Sequence, residues 1–230
     1  MKNIKIGVLA LQGAFIEHEH MLTALGAVCT EIRQPSDLSG IDGIVLPGGE
    51  STVQGQLLHK SGLFAPLREL IAGGLPTLAT CAGLILLSQE ISAPDSHCAR
   101  QISAPQPPDI LHTEKTAPSA HLGTLPVTVK RNAYGRQLAS FVTEAPVTGI
   151  GNCPMIFIRA PYIEHAAENV EILARVDGNI VAVRYENQIG LSFHPELSAN
   201  SKIHEWFLNQ CETYMDAAIS SISPCNSTSP

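Results

Sequence analysis

A thiol becomes a nucleophile when its surroundings favour the thiolate and a base stands beside it, and two short stretches of the 230-residue chain carry those residue types. In Leu78-Ala79-Thr80-Cys81-Ala82-Gly83-Leu84 a cysteine falls between an apolar run and a helix expected to begin near Ala82, among residues small enough for a sharp turn. A thiol at such an elbow meets the positive end of the helix dipole, and the N–H of Ala82 is free to stabilise an oxyanion. In Gly190-Leu191-Ser192-Phe193-His194-Pro195-Glu196 an apolar strand delivers a histidine and, two residues on, a carboxylate. Residues two apart in an extended segment share a face, so Glu196 can hold the imidazole of His194 while Pro195 keeps His194 out of helical dihedrals. The chemistry this supports is attack by Cys81 on an acyl carbon, with His194 as base and acid and Glu196 as its orienter. An isolated cysteine or histidine is more often a surface or hydrogen-bonded core residue, which is the expectation for the other five cysteines and for His18, His20, His59, His97, His112, His121, His165 and His204.

A third stretch, Leu46-Pro47-Gly48-Gly49-Glu50-Ser51-Thr52, has two glycines whose backbone freedom can turn N–H groups toward a ligand. All three stretches end apolar runs, and the runs define the elements that must hold them. Ile4 to Leu9, Val28 to Ile32, Gly43 to Leu46 and Pro76 to Ala79 predict buried strands, alternating with helices over Ala14 to Leu25, Ser51 to Leu58 and Phe64 to Ala72. Strands so arranged form a mostly parallel sheet covered on both faces, with ligands beyond the strands' carboxyl ends, in the loops after Leu9, Leu46 and Ala79. The second half predicts strands over Leu125 to Lys130, Gln137 to Thr143, Met155 to Ile158, Val170 to Val176 and Ile180 to Tyr185, with a hairpin turn at Asp177-Gly178-Asn179. These complete a mixed sheet, and Ser201 to Ile219 closes the fold as a helix. The expected architecture is one α/β domain over residues 1–219, a mixed and mostly parallel sheet flanked by helices. Ser92 to Ser119, which holds five of the sixteen prolines, is read as a mobile surface loop, and 220–230 as a polar tail.

Composition narrows the partners. Hydrophobic residues make up 44% of the chain, ample for a core, while a net charge of −7 gives no electrostatic reason to bind nucleic acid or anionic lipid. The N-terminal apolar run soon meets Gln12, Glu17 and His18, which fits neither a signal peptide nor a membrane span, so a cytoplasmic location is expected. Cys29, Cys81, Cys98, Cys153, Cys211 and Cys225 are widely spaced, form no C-x-x-C pair and are expected as reduced thiols. No clustered Cys/His set suggests a metal site. The glycosylation pattern at Asn226-Ser227-Thr228 has little weight without a secretion signal.

The Gly-Gly turn, the cysteine elbow and the His-Pro-Glu segment, in that order, resemble the class I (triad) glutamine amidotransferases. Gly7 to Gly13, Leu46 to Thr52, Thr80 to Leu84, Arg131 to Gln137, Phe157 to Pro161 and Ser192 to Leu197 are similar, more narrowly, to the glutaminase subunits of pyridoxal 5′-phosphate synthases, over nearly the whole chain. The resemblance implies Cys81, His194 and Glu196 as a triad, Gly49 and Ala82 as oxyanion donors, and Gly49, Glu50, Ser51, Arg131, Ile158 and Arg159 as glutamine-binding positions. It implies hydrolysis of L-glutamine to glutamate and ammonia, no metal or organic cofactor, and a synthase subunit as partner in a hetero-oligomer. Two departures from the family pattern are Ala79, where the elbow often has glycine, and the length of the proline-rich stretch. The alternatives are another glutaminase of the class, such as the imidazole glycerol phosphate synthase subunit, a free-standing γ-glutamyl hydrolase, or a non-catalytic regulatory subunit.

Overall fold

The computed structural model describes residues 3–92, 121–131 and 140–222, with side chains to residue 217. Strands β1 (Lys5–Leu9), β2 (Val28–Ile32), β3 (Gly43–Leu46) and β4 (Thr77–Thr80) pair in parallel in the spatial order β2-β1-β3-β4. Helices α1 (Phe15–Ala24), α2 (Ser51–Lys60) and α3 (Phe64–Ala72) make the crossovers, and α4 (Ala82–Leu87) follows β4 after one residue, Cys81. All four residues of β3 and of β4 are buried, the signature of strands covered on both faces.

Beyond β4 the sheet continues with strands from the far end of the chain. Strand β12 (Gln188–Leu191) lies parallel to β4, and β11 (Asn179–Tyr185) runs antiparallel to β12. Outward from β11 come β9 (Tyr162–Ala166), β6 (Leu125–Lys130) and β5 (Ser88–Ile91), while β10 (Glu171–Val176) pairs with β11 through the expected Asp177-Gly178 turn. The result is a mixed ten-stranded sheet. Strands β5 and β9 were not expected: they are short, and β9 contains Glu164 and His165, so neither has the apolar run that marks a buried strand.

The expectation that the second half all joins one sheet is corrected at β7 (Ser140–Val147) and β8 (Gly151–Ile158), which form a separate antiparallel hairpin. Pro146 and Pro154 lack an N–H for a second neighbour, so each strand is suited to an edge. Phe157, Met155 and Cys153 are buried while Val142 is exposed, so the hairpin lies as a two-faced flap on the core.

Side chains alternate off the sheet into two cores. Ile6, Val8, Val45, Leu78 and Leu191 join Leu22 of α1, Phe157 of the hairpin, and Ile203 and Phe207 of α5 (Lys202–Ile222). Leu9, Ile44, Leu46 and Ala79 pack on the other face against Leu58 of α2, Leu67 of α3 and Leu84 of α4. The carboxyl ends of β1, β3, β4 and β12 thereby meet on one rim. Most of the proline-rich stretch and the strand start at 137–139 lie outside the described residues, as do Cys98, Cys225 and the 223–230 part of the tail. Cys29, Cys81, Cys153 and Cys211 are free thiols.

Candidate active site

Cys81 sits on the rim between β4 and α4 with φ +48° and ψ −98°, a backbone conformation that L side chains rarely adopt. Two hydrogen bonds hold the strained turn: Cys81 N–H donates to Leu191 O on β12 at 2.8 Å, and Ile85 N–H donates to Cys81 O at 3.3 Å. Helix α4 is only six residues long, so its dipole is small and the elbow geometry matters more.

Cys81 and His194 line one cavity, and His194 Nδ1 lies 2.7 Å from Glu196 Oε1. The route by which Glu196 reaches His194 differs from the extended segment expected. Pro195–Leu197 form a 3-10 turn, because the fixed φ of proline suits the first position of a helical turn as well as it suits a strand edge. The backbone of His194 is pinned from the hairpin by its N–H donating to Ile156 O at 2.9 Å. Burial alone would depress the pKa of His194, but hydrogen bonds to Cys81 and Glu196 and their charges raise it to about 10. Burial alone would push the Glu196 carboxyl up, and the imidazoles of His18 and His194 bring it below the usual carboxylate range. His194 is thus favoured as an imidazolium between two acids.

The thiol opens onto a cavity of about 490 Å³. Gly49, Glu50, Ser51, Arg131, Ile158 and Arg159 all line it with Cys81, Ala82 and His194, so residues as far apart in sequence as 49 and 194 face one space. Glu196 stands behind His194, outside the lining. The Gly-Gly turn is clamped from the loop after β1: Ala14 N–H donates to Gly48 O at 3.0 Å and Glu50 N–H to Gln12 Oε1 at 2.9 Å. Close approach requires both glycines at the contact. A Cβ on Gly48 would lie 2.2 Å from His194 Cε1, and one on Gly13, already at φ +108°, would lie 1.9 Å from Gly48 O. The Glu50 carboxylate is occupied differently from the direct substrate contact that its charge suggests. It accepts from Thr52 N–H at 3.1 Å and Val53 N–H at 2.8 Å, capping α2, and pairs with Arg131 at 3.0 Å.

A cysteine elbow, a buried His–carboxylate pair and a glycine turn on one cavity are the parts of an acyl-transfer site. The sequence matches the SNO glutamine amidotransferase family over residues 8–102 and 110–213, the break falling within the proline-rich stretch. The chain belongs to that family. Among its relatives, the protein described as pyridoxal 5′-phosphate synthase subunit PdxT of Desulfitobacterium hafniense is 54% identical over 207 residues, covering 90% of this chain and 92% of the relative. Its namesake in Methanocorpusculum labreanum is 52% identical over 206 residues, covering 89% and 96%. A crystal structure described as a glutamine amidotransferase superposes with a TM-score of 0.76 at 36% identity, covering 90% of this chain and 98% of that one.

Three residues beside this candidate site carry no local sequence signal of it. The sequence reads His18 and His204 as surface or hydrogen-bonded core residues, and both are fully buried and 2.9 Å apart, with His18 3.4 Å from Glu196; Thr80, one residue before Cys81, completes the group. No local pattern could have found them, since they come from α1, α5 and β4. Among the described residues no group of side chains could hold a metal ion, and no helix is long and apolar enough to cross a membrane.

Proposed function

We propose that this chain is the glutaminase subunit of a pyridoxal 5′-phosphate synthase, hydrolysing L-glutamine to glutamate and passing the ammonia to a synthase subunit. The observation that carries the reading is Cys81 and His194 facing one cavity of amino-acid size with Glu196 hydrogen-bonded behind the imidazole, in a chain with relatives of that name. The Cys81 thiolate attacks the side-chain carboxamide carbon, and the carbonyl oxygen gains charge against the N–H groups of Gly49 and Ala82. His194, protonated, gives its proton to the departing nitrogen, which leaves as ammonia, and a glutamyl thioester remains on Cys81. His194, now neutral, takes a proton from water as that water attacks the thioester, releasing glutamate. Glu196 keeps the imidazole oriented throughout and stabilises its charged form.

Arg131 and Arg159 supply positive charge on the cavity wall for the α-carboxylate of glutamine. Glu50, exposed along one side while it caps α2, is the acidic group closest in kind to the α-amino group. Ser51 and Ile158 complete the substrate positions. The free thiols suit a reducing compartment, which supports a cytoplasmic enzyme. The deciding experiment is glutamate release from L-glutamine by the chain with its synthase partner, together with labelling by a diazoketone analogue of glutamine. A single adduct on Cys81 that abolishes release is the expected result; hydrolysis that survives full labelling of Cys81 would sink the assignment.

A further inference from the structure

Glu196 has two carboxylate oxygens, and His194 uses only one. Among the described residues the other, Oε2, is buried without a hydrogen-bond partner, and Nε2 of His18 lies 3.4 Å from it. His18 and Glu196 side chains are both 0% exposed, so no solvent shields the contact. On its far side His18 Nδ1 lies 2.9 Å from Nε2 of His204, while its own Nε2 is also 3.3 Å from Thr80 Oγ1 on the strand that leads to the nucleophile. Four side chains from α1, β4, the turn after β12 and α5 thus form one buried polar cluster directly behind the triad.

The polar groups of the cluster favour one placement of its protons. If Nδ1 of His18 carried the proton, Nε2 would point a lone pair at a carboxylate oxygen. His204 would then have to hold its own proton on Nδ1, a buried atom without a hydrogen-bond partner. The other tautomer turns His18 Nε2–H toward Glu196 Oε2 and lets His204 Nε2–H donate to His18 Nδ1, leaving only one acceptor lone pair unmatched. Burial lowers the pKa of both imidazoles, His204 to about 3, which favours the neutral form of each.

We propose that His18 is a positioning residue of the glutaminase reaction: its Nε2–H holds the second oxygen of Glu196, with His204 behind it selecting the tautomer. The 3.4 Å contact is long for a hydrogen bond and acts electrostatically; such contacts shorten as charge develops on the imidazole that the carboxylate serves. The device would keep Glu196 turned so that one oxygen always faces His194, which matters most when His194 must alternate between acid and base. This inference rests on the assignment of Cys81, His194 and Glu196 as the reacting group.

Two substitutions separate the halves of the imidazole. His18→Gln can place an amide N–H near the old Nε2 and reach Glu196, whereas His18→Asn keeps the contact with His204 but falls short of the carboxylate. With the partner bound, kcat of His18→Gln is expected within about threefold of the unaltered enzyme. His18→Asn should lose about tenfold or more, with KM for glutamine within about twofold in both. In a Glu196→Gln background the His18→Asn loss should shrink to about twofold or less, because the group it positions is gone. An Asn variant at least as active as the Gln variant, or an undiminished loss in the Glu196→Gln background, overturns the proposal. Nitrogen NMR of the unaltered, histidine-labelled chain decides the same point if the variants fail to fold. The expected state of His18 is neutral with Nε2 protonated; a protonated Nδ1 beside a bare Nε2 overturns it. Absence of glutaminase activity in the unaltered complex would sink the functional reading instead, and the tautomer would still be read.

Discussion

Cys81 at φ +48° illustrates how much of this site is decided one residue at a time. Cys81 is buried at the edge of the cavity, and Cys81→Ala removes the proposed nucleophile with the loss of one small side-chain atom. Glutamate release by that variant is expected to be undetectable in a coupled assay, with partner binding intact by sedimentation. Arg131→Ala should mainly raise KM, because its contact serves ground and transition states alike, whereas His194→Ala should mainly lower kcat. The reverse pattern in steady-state kinetics would exchange their roles. The buried histidines make a separate prediction about acid. His204 has its pKa lowered to about 3 by burial and by its neighbour His18, so between its ordinary value of 6.5 and about 3 the unfolded chain binds the proton that the folded chain refuses. Stability therefore falls as pH drops through that window, by about 1.4 kcal/mol per pH unit for one such group. The raised pKa of His194 works in the opposite window: its contribution is full below 6.5 and is lost as pH rises through about 10. Urea unfolding at pH 7 and pH 5 should show the acid loss, and His204→Leu should reduce the slope even where it lowers stability at pH 7. These histidines carry no local sequence signal, whereas the proposed triad of Cys81, His194 and Glu196 does, because a nucleophile elbow and a His-Pro-Glu segment are local patterns and a contact between α1 and α5 is not.

At the scale of elements, the Gly-Gly turn and the start of α2 act as one unit. Gly48 gives room for His194 and its carbonyl accepts from Ala14, while Glu50 caps the helix and holds Arg131. Gly48→Ala would drive a methyl into the His194 ring. Its kcat is expected to fall about a hundredfold, the scale of one lost oxyanion donor, while circular dichroism stays that of the unaltered chain. Glu50→Ala should cost about 1 kcal/mol of helix cap, or a drop in Tm of about 2–4 °C by calorimetry. It should also raise KM, since Arg131 loses its carboxylate partner on the cavity wall and keeps Thr52 Oγ1. A raised KM without any change in Tm would mean that the cap contributes nothing. The parallel half of the sheet was legible to within a residue or two because buried strands such as Gly43–Leu46 are continuous apolar runs. The separation of the β7–β8 hairpin was not, because an alternating strand reads the same whether it joins the main sheet or folds over it.

The whole molecule brings the loop after β1 against the Gly-Gly turn, with Gln54 Nε2 donating to Gln12 O at 2.8 Å and to Pro47 O at 3.2 Å. Gln12 thus touches the Gly-Gly turn, and Ile16, four residues on in α1, is nearly half exposed. A synthase subunit docking on this loop could set the Gly48–Gly49 peptide, and ammonia released without a partner would be lost. The isolated chain is expected to hydrolyse glutamine slowly, with the rate rising saturably as synthase subunit is added. Gln12→Ala should weaken that stimulation more than it weakens glutamine binding, read by titrating partner against kcat and KM. Equal turnover with and without bound partner would rule out the coupling and move weight to a free-standing hydrolase.

Sequence alone marked the proposed carriers of the chemistry: a cysteine between a strand and a helix, a histidine two residues before a glutamate, and a glycine turn, each written in a handful of adjacent residues and needing only local geometry to be read. It also determined the parallel core, since apolar runs report burial directly. Tertiary structure decided what those residues touch. It set His194 against Gly48, turned Glu196 through a 3-10 turn instead of an extended strand, committed Glu50 to a helix cap, and placed His18 and His204 behind the triad. The physical reason is that hydrogen bonds and close contacts between elements depend on strand order and helix packing, which a chain settles only when its two cores close on either side of the sheet.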